Sequence, residues 1–174
     1  AVGTQTFASV NRPAAYCGIA AFKPSTRSLP CFGITPLGPS YDTPGFYGWS
    51  VDDAVYVHEA VAPAFLRSSE SDQRVIRVCV LEDAHLSDAD PDMQVALRRT
   101  ADALVDAGHP VKYRPSPIAF ERLFRIQRST TAYESGRALK HLLDEPAGMV
   151  GEKITALIHE GLEIAGDRYL EERR

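Results

Sequence analysis

Apolar positions along the chain fall into short clusters separated by proline, glycine and small polar residues. The opening runs "AVGTQT" (1–6) and "GIAAFK" (18–23) are too short for helices and are bounded by turn formers, so they predict two short strands around a turn of polar and small residues. The next segment, 25–49, "STRSLPCFGITPLGPSYDTPGFYGW", is broken so often by proline, glycine and aromatics that it predicts a long irregular loop. Loops of that length inside a compact domain tend to carry function.

A helix is predicted from Ser50, which stands three residues before Asp53 at the spacing of a capping box. Val51, Ala54, Val55, His58, Val61, Ala62 and Phe65 then recur at a helical period. Valine-rich "RVIRVCVLE" (74–82) predicts a strand. Asp90 as cap and Pro91 as first-turn proline open the next helix, with a stripe of Met93, Leu97, Ala101 and Leu104, and Gly108 with Pro110 closes it. A short strand, "PVKYRPS" (110–116), and two helices over 118–143 and 151–172 complete the chain; the last places Ile154, Ile158, Leu162, Ala165 and Tyr169 on one face. Strand and helix alternate, which predicts an α/β fold: a mixed β-sheet flanked by helices in α/β/α layers.

Composition narrows the class. A chain of 174 residues suits one domain, and 44% apolar with 24% charged residues is the balance of a soluble globular protein. No run approaches membrane-spanning length, so no membrane partner is expected. The net charge of −4 is spread without blocks, which argues against a nucleic-acid partner. Cys17, Cys31 and Cys79 form no C-x-x-C pair, so neither a disulfide framework nor a zinc knuckle is indicated, and a cytoplasmic setting is expected. The chain opens Ala-Val-Gly in what reads as a strand, with neither a methionine nor a signal-peptide pattern. Residues before Ala1 are therefore expected.

Several candidate chemistries fail on spacing. "SDADPD" (87–92) suggests a calcium loop, but Met93 occupies the place of the required glycine and Arg99 that of the closing glutamate; its carboxylates fit a helix N-terminus instead. His58 and His159 each precede a glutamate but lack a second histidine one turn on, so no zinc-hydrolase face forms. "GMVGEKIT" (148–155) lacks the Gly-Lys-Ser/Thr of a phosphate-binding loop, and no G-x-S-x-G or S-x-x-K motif is present. No metal and no cofactor are expected. What remains is Ser9, at the end of the first strand among small residues. A serine hydroxyl needs a proton acceptor and backbone donors for an oxyanion, and a sharp turn at Ser9 would let Thr6, Phe7 and Ala8 supply the donors. A structural serine in a tight strand-to-helix connection is the competing reading.

The stretch "GTQTFASVNRPAAYCGIAAFKPS" (3–25) resembles the nucleophile segment of the amidase signature family, G-T/S-x-T-G-G-S followed by arginine, Pro-Ala, aromatic-Cys-Gly and Lys-Pro. Gly3, Thr4, Thr6, Ser9, Arg12, Pro13, Ala14, Cys17, Gly18, Lys23 and Pro24 fall in register. "DTPGFYGWSVDDAVYVHEAV" (42–61) is similar to the family's D-T-x-G segment and the helix after it, and the likeness continues through "DAGHPV" (106–111). The resemblance implies amide hydrolysis with Ser9 as nucleophile and the backbone N–H groups of Thr6, Phe7 and Ala8 as oxyanion hole. It further implies a lysine base and a relay serine in a cis peptide, both in segments preceding this stretch. Lys23 matches the structural Lys-Pro pair and is not assigned as base. The family's Gly-Gly before the serine is Phe7-Ala8 here. That change either disfavours a positive-φ backbone and crowds the acyl pocket, or shapes the pocket for a narrow substrate.

On this reading residues 1–174 form a single partial domain, with the lysine and relay serine before it and a final C-terminal segment after it. The intact enzyme acts on a small-molecule amide, and the isolated chain is expected to be inactive. Two alternatives stay open: a non-catalytic remnant that self-associates through an exposed sheet edge or apolar face, and an amidotransferase A-like subunit that uses glutamine.

Overall fold

The computed structural model describes residues 1–62, 75–82, 84–146 and 148–174. Val2–Gln5 is strand β1 and Ala20–Phe22 is strand β2, as the short apolar runs predict. Between them the segment read as a turn is a helix, α1, Asn11–Cys17. Two turns leave too few apolar positions to display a period, and Val10 occupies the N-cap without a capping side chain. Gln5 takes that role from the strand: its side-chain oxygen accepts from the N–H of Val10 at 2.9 Å and of Asn11 at 3.1 Å. The helix ends in a Schellman motif around Gly18, at φ 63, with Ile19 N–H donating to the Ala14 carbonyl at 3.1 Å.

The predicted loop 25–49 contains a strand, β3, Thr43–Gly48, and this strand is the centre of the sheet. It pairs antiparallel with β1 (Val2 opposite Phe46) on one side and with β2 (Phe22 opposite Phe46) on the other. Its proline and two glycines look like turn punctuation in the sequence. Pro44 is opposite Thr4, past the end of β2, so the ladder has only one neighbour where the missing N–H would matter. Gly45 lies under the fully buried Val10, and a Cβ there would come within 2.9 Å of a Val10 methyl.

Helix α2, Val51–Val61, has the predicted capping box: Ser50 Oγ accepts from Asp53 N–H at 3.2 Å, and Asp53 Oδ2 accepts from Ser50 N–H at 2.9 Å. Its buried face is narrower than the periodicity implies. Ala54 and Ala62 are buried, Val57 packs on a cluster of Leu29, Phe46 and Ala62, and His58 lies edge-on to Phe22 with ring centroids 5.1 Å apart. Val51, Val55 and Val61 are exposed, because the short strands β2 and β3, on which the helix packs, cover only one stripe of it. Phe65 lies outside the described residues.

Hydrogen bonds from Ser50, the backbone one first, hold the exposed Asp53 carboxyl below its ordinary 3.8. A carboxyl lowered in the folded state contributes above the unfolded pKa, and that contribution is lost as pH falls through the folded value. The Ser50 amide resonance is therefore expected to titrate with a midpoint below pH 3.8, and an Asp53→Asn variant to lack the transition. A midpoint at or above 3.8 would contradict the cap.

The chain divides into two compact units, Ala1–Ser68 with Glu121–Arg174, and Ser69–Phe120. The second holds a parallel pair, β4 (Val78–Glu82) and β5 (Val111–Pro115), connected through a 3-10 turn (Ala84–Asp88) and helix α3 (Pro91–Asp106). Pro91 starts α3 as predicted, but the Asp90 carboxylate makes no capping bond. Of the predicted stripe, Ala101 is buried, Leu97 and Leu104 are not, and Met93 is exposed.

In the first unit the predicted helix 118–143 is α4, Phe120–Ala138, followed by a 3-10 turn at Lys140–Asp144. The single helix predicted over 151–172 is two, α5 (Glu152–Glu163) and α6 (Gly166–Glu172). The break has a cause outside the segment's own sequence. Arg137 of α4 donates to the carbonyl oxygens of Gly161 at 2.9 Å and Ile164 at 3.2 Å, which satisfies acceptors that a continuing helix would have used. Ile158, Gly161 and Ile164 are buried, while Leu162 and Ala165 face outward. The class expected from the strand–helix alternation is thus what the chain adopts, mixed α/β with helices flanking small sheets.

Candidate functional site

Ser9 sits where β1 gives way to α1. Its side chain is exposed, and its hydroxyl donates to the Phe7 carbonyl at 3.3 Å. Its own carbonyl accepts from Tyr47 Oη of β3 at 3.2 Å, and the next residue, Val10, is locked over Gly45. The backbone around the hydroxyl is therefore held by β1, β3 and α1 while the hydroxyl faces outward. Among the described residues no basic side chain hydrogen-bonds to it. Lys23 donates instead to the Pro24 carbonyl at 2.6 Å.

Thr6, Phe7 and Ala8 form the turn that precedes Ser9. Its left-handed residue is Ala8, at φ 55, and not Phe7, so the glycine-like conformation falls on the smaller side chain. Phe7 tolerates the turn backbone and projects its ring to where it is half exposed. Among the described residues the N–H groups of Phe7, Ala8 and Ser9 carry no hydrogen bond.

The turn is clamped from beneath by Asp42. Its buried carboxylate accepts from the Thr6 hydroxyl and from the N–H groups of Leu37 at 2.8 Å and Gly38 at 3.0 Å. Loop 36–42 is tied in turn to α4. Ser135 Oγ donates to the Leu37 carbonyl, while the Ser40 N–H and hydroxyl both donate to the Glu134 carboxylate, the N–H at 2.9 Å. Glu134 also accepts from Tyr169 Oη of α6 at 2.7 Å. Burial, and then the bond to Glu134, push the Tyr169 phenol above its ordinary value, so it remains a donor. A stack of Arg137, Tyr133, Tyr169 and Arg173 braces this contact, with the two rings 4.0 Å apart and the Arg137 guanidinium 3.4 Å from the Tyr133 centroid. Burial and the Asp42 charge push the Cys31 thiol up, which leaves it a protonated donor to the Asp42 carbonyl and a poor nucleophile.

Beside the turn lies an apolar cavity of about 440 Å³ lined by Phe7, Phe124, Gln127, Arg128, Thr131 and Leu157. The Phe7 and Phe124 rings meet edge to face, with centroids 5.7 Å apart. Gln127 donates to Thr131 Oγ1 at 2.9 Å, and Arg128 is paired with Glu160 at 2.6 Å.

All four site residues predicted from the sequence thus share one turn. Gln5, Asp42, Glu134 and the cavity escaped sequence reasoning as parts of the site. Gln5 occupies the variable place of G-T/S-x-T, and Asp42 carried a signal only through the D-T-x-G match. Glu134 reaches Ser40 across 94 positions, a separation that no local pattern reports. Among the described residues no helix is long and apolar enough to cross a membrane.

Comparison with known proteins defines the class. The Amidase family model matches residues 1–168, and the chain belongs to that family. Among its relatives is the A-type component of the glutamyl-tRNA(Gln) amidotransferase of Campylobacter jejuni, 29% identical over 126 residues covering 65% of this chain and 28% of that protein. An indoleacetamide hydrolase of Allorhizobium ampelinum is 47% identical over 60 residues, covering 34% of this chain and 13% of that protein. A crystal structure of an amidase superposes with a TM-score of 0.82 at 22% identity, over 99% of this chain and 39% of that one, and shows the same fold. The chain spans less than a third of the length of these two curated relatives.

Proposed function

We propose that these residues form the nucleophile-bearing part of a hydrolase that cleaves carboxamides through an acyl-enzyme on Ser9. The observation that supports it best is the pairing of an exposed hydroxyl with a turn whose N–H groups at Phe7 and Ala8 carry no bond of their own among the described residues. In the proposed step Ser9 Oγ bonds to the carbonyl carbon, and the oxyanion is met by the N–H groups of Thr6, Phe7 and Ala8. Collapse breaks the C–N bond and releases ammonia or an amine that takes up the serine's proton; water then hydrolyses the ester. The proton carrier is the lysine and relay serine that the family resemblance implies, without which the hydroxyl would react slowly.

A fluorophosphonate probe is expected to label Ser9 in the full-length protein that contains these residues, with labelling and amide hydrolysis both abolished in Ser9→Ala. Labelling that persists in the variant, or a wild-type protein that hydrolyses amides without being labelled, would refute the assignment. The amidotransferase relatives favour a second reading, in which the amide is glutamine and the ammonia passes to a partner. Turnover of glutamine only in the presence of a charged-tRNA-binding partner would decide for it.

A further inference from the structure

Resting on Ser9 as the nucleophile, we infer that the cavity beside it is the subsite for a neutral aromatic group on the amide, and that Phe7 and Phe124 determine that specificity. The link between nucleophile and cavity is a single residue. Phe7 gives its carbonyl to the Ser9 hydroxyl at 3.3 Å and its ring to the cavity wall. A group attached within a few bonds of a carbonyl attacked by Ser9 is thereby brought beside the cavity that Phe7 and Phe124 wall.

The cavity's chemistry selects what enters. Its volume of about 440 Å³ accommodates a one- or two-ring group. The edge-to-face pair at 5.7 Å and 81° leaves both rings partly exposed, 50% for Phe7 and 41% for Phe124, and a planar guest would cover that surface. The polar groups of the wall have partners: Gln127 bonds Thr131, and Arg128, the only formally charged lining residue among those described, pairs with Glu160 at 2.6 Å. Free glutamine would bring an ammonium and a carboxylate against a wall that is mainly apolar, at a desolvation cost that a neutral group does not incur. A neutral aryl amide brings no such cost.

The test compares kcat/KM for phenylacetamide, acetamide and glutamine in the full-length protein. Phenylacetamide is expected to exceed acetamide by on the order of tenfold to a hundredfold, the range an apolar pocket yields for added apolar surface. The phenylacetamide-to-acetamide ratio should fall about tenfold in Phe124→Ala and in Phe7→Gly. Phe124→Leu keeps the wall filled, so a lowered ratio in a folded Phe124→Leu protein carries the same information should the alanine variant unfold. Equal rates for phenylacetamide and acetamide, preference for glutamine, or a ratio unmoved by these substitutions would overturn the inference. Turnover that survives Ser9→Ala would instead overturn the proposed nucleophile. If no amide is turned over, saturation-transfer NMR with phenylacetamide decides: binding weakened by Phe124→Ala supports the subsite, and absence of binding refutes it.

Discussion

Gly161→Ala is expected to lower stability by on the order of 3 kcal/mol or more, although alanine is the better helix former by about 1 kcal/mol. Helix α5 crosses α4 with the two backbones in contact. A Cβ at Gly161 would lie 1.7 Å from the Ala132 carbonyl oxygen and 2.4 Å from its carbon, and both are main-chain atoms that no rotamer change can move. The helices must separate, and separation also strips the Arg137 guanidinium from the carbonyls of Gly161 and Ile164. Gly151→Ala is the matched control, because nothing lies within 4 Å of a Cβ built there and its φ of −63 suits any residue. Urea melts should place the Gly161 variant far below both wild type and the Gly151 variant, which gives up only the preference for glycine at the N-cap of α5, about 1 kcal/mol or less. Coincident midpoints for the two variants would show that the close crossing is not what holds these helices.

Asp42→Asn should cost about 2–4 kcal/mol with no change of shape. The carboxylate accepts three hydrogen bonds, from Thr6 Oγ1 and the N–H groups of Leu37 and Gly38, in a residue that is 8% exposed. An amide keeps its oxygen on the Leu37 and Gly38 N–H groups only by turning its NH2 to Thr6 Oγ1, which must reverse from donor to acceptor, and the charge assistance disappears throughout. The loss falls on the link between loop 36–42 and the turn of Ser9, so fluorophosphonate labelling of Ser9 should also slow by about tenfold or more. Asp52→Asn, on the exposed first turn of α2, is expected to alter neither. A folded Asp42→Asn protein that labels at the wild-type rate would show that the carboxylate does not position the turn.

What the sequence revealed and what it hid follow from the range of the interactions. The capping box at Ser50 and Asp53, the Pro91 start of α3 and the β4 and β5 runs are local effects, and all are found. Strand β3 was masked because proline and glycine usually mark turns. Here Pro44 stands where only β1 flanks it, and Gly45 makes room for Val10, facts set by residues far away in the chain. The break between α5 and α6 was hidden because its cause is Arg137, on another helix. Apolar periodicity also overstated burial: Val51, Val55 and Met93 keep the helical rhythm and face outward. At the site, the motif singled out Thr6, Phe7, Ala8 and Ser9, four consecutive residues that lie in one turn. It gave no sign that Ala8 would take the left-handed conformation, nor that Phe7 would form a cavity wall with a residue on α4.

The bonds from Ser40 to Glu134 and from Ser135 to Leu37 close sequence separations of 94 and 98 residues. Such contacts order last, because the chain between them must give up its freedom before they form. During synthesis β1 and its turn emerge well before α4 and α6, which carry Glu134 and Tyr169. The serine turn is thus made early and braced late: a nascent chain displays Ser9 on a loop without its clasp, and the site gains its final geometry only once α6 has left the ribosome.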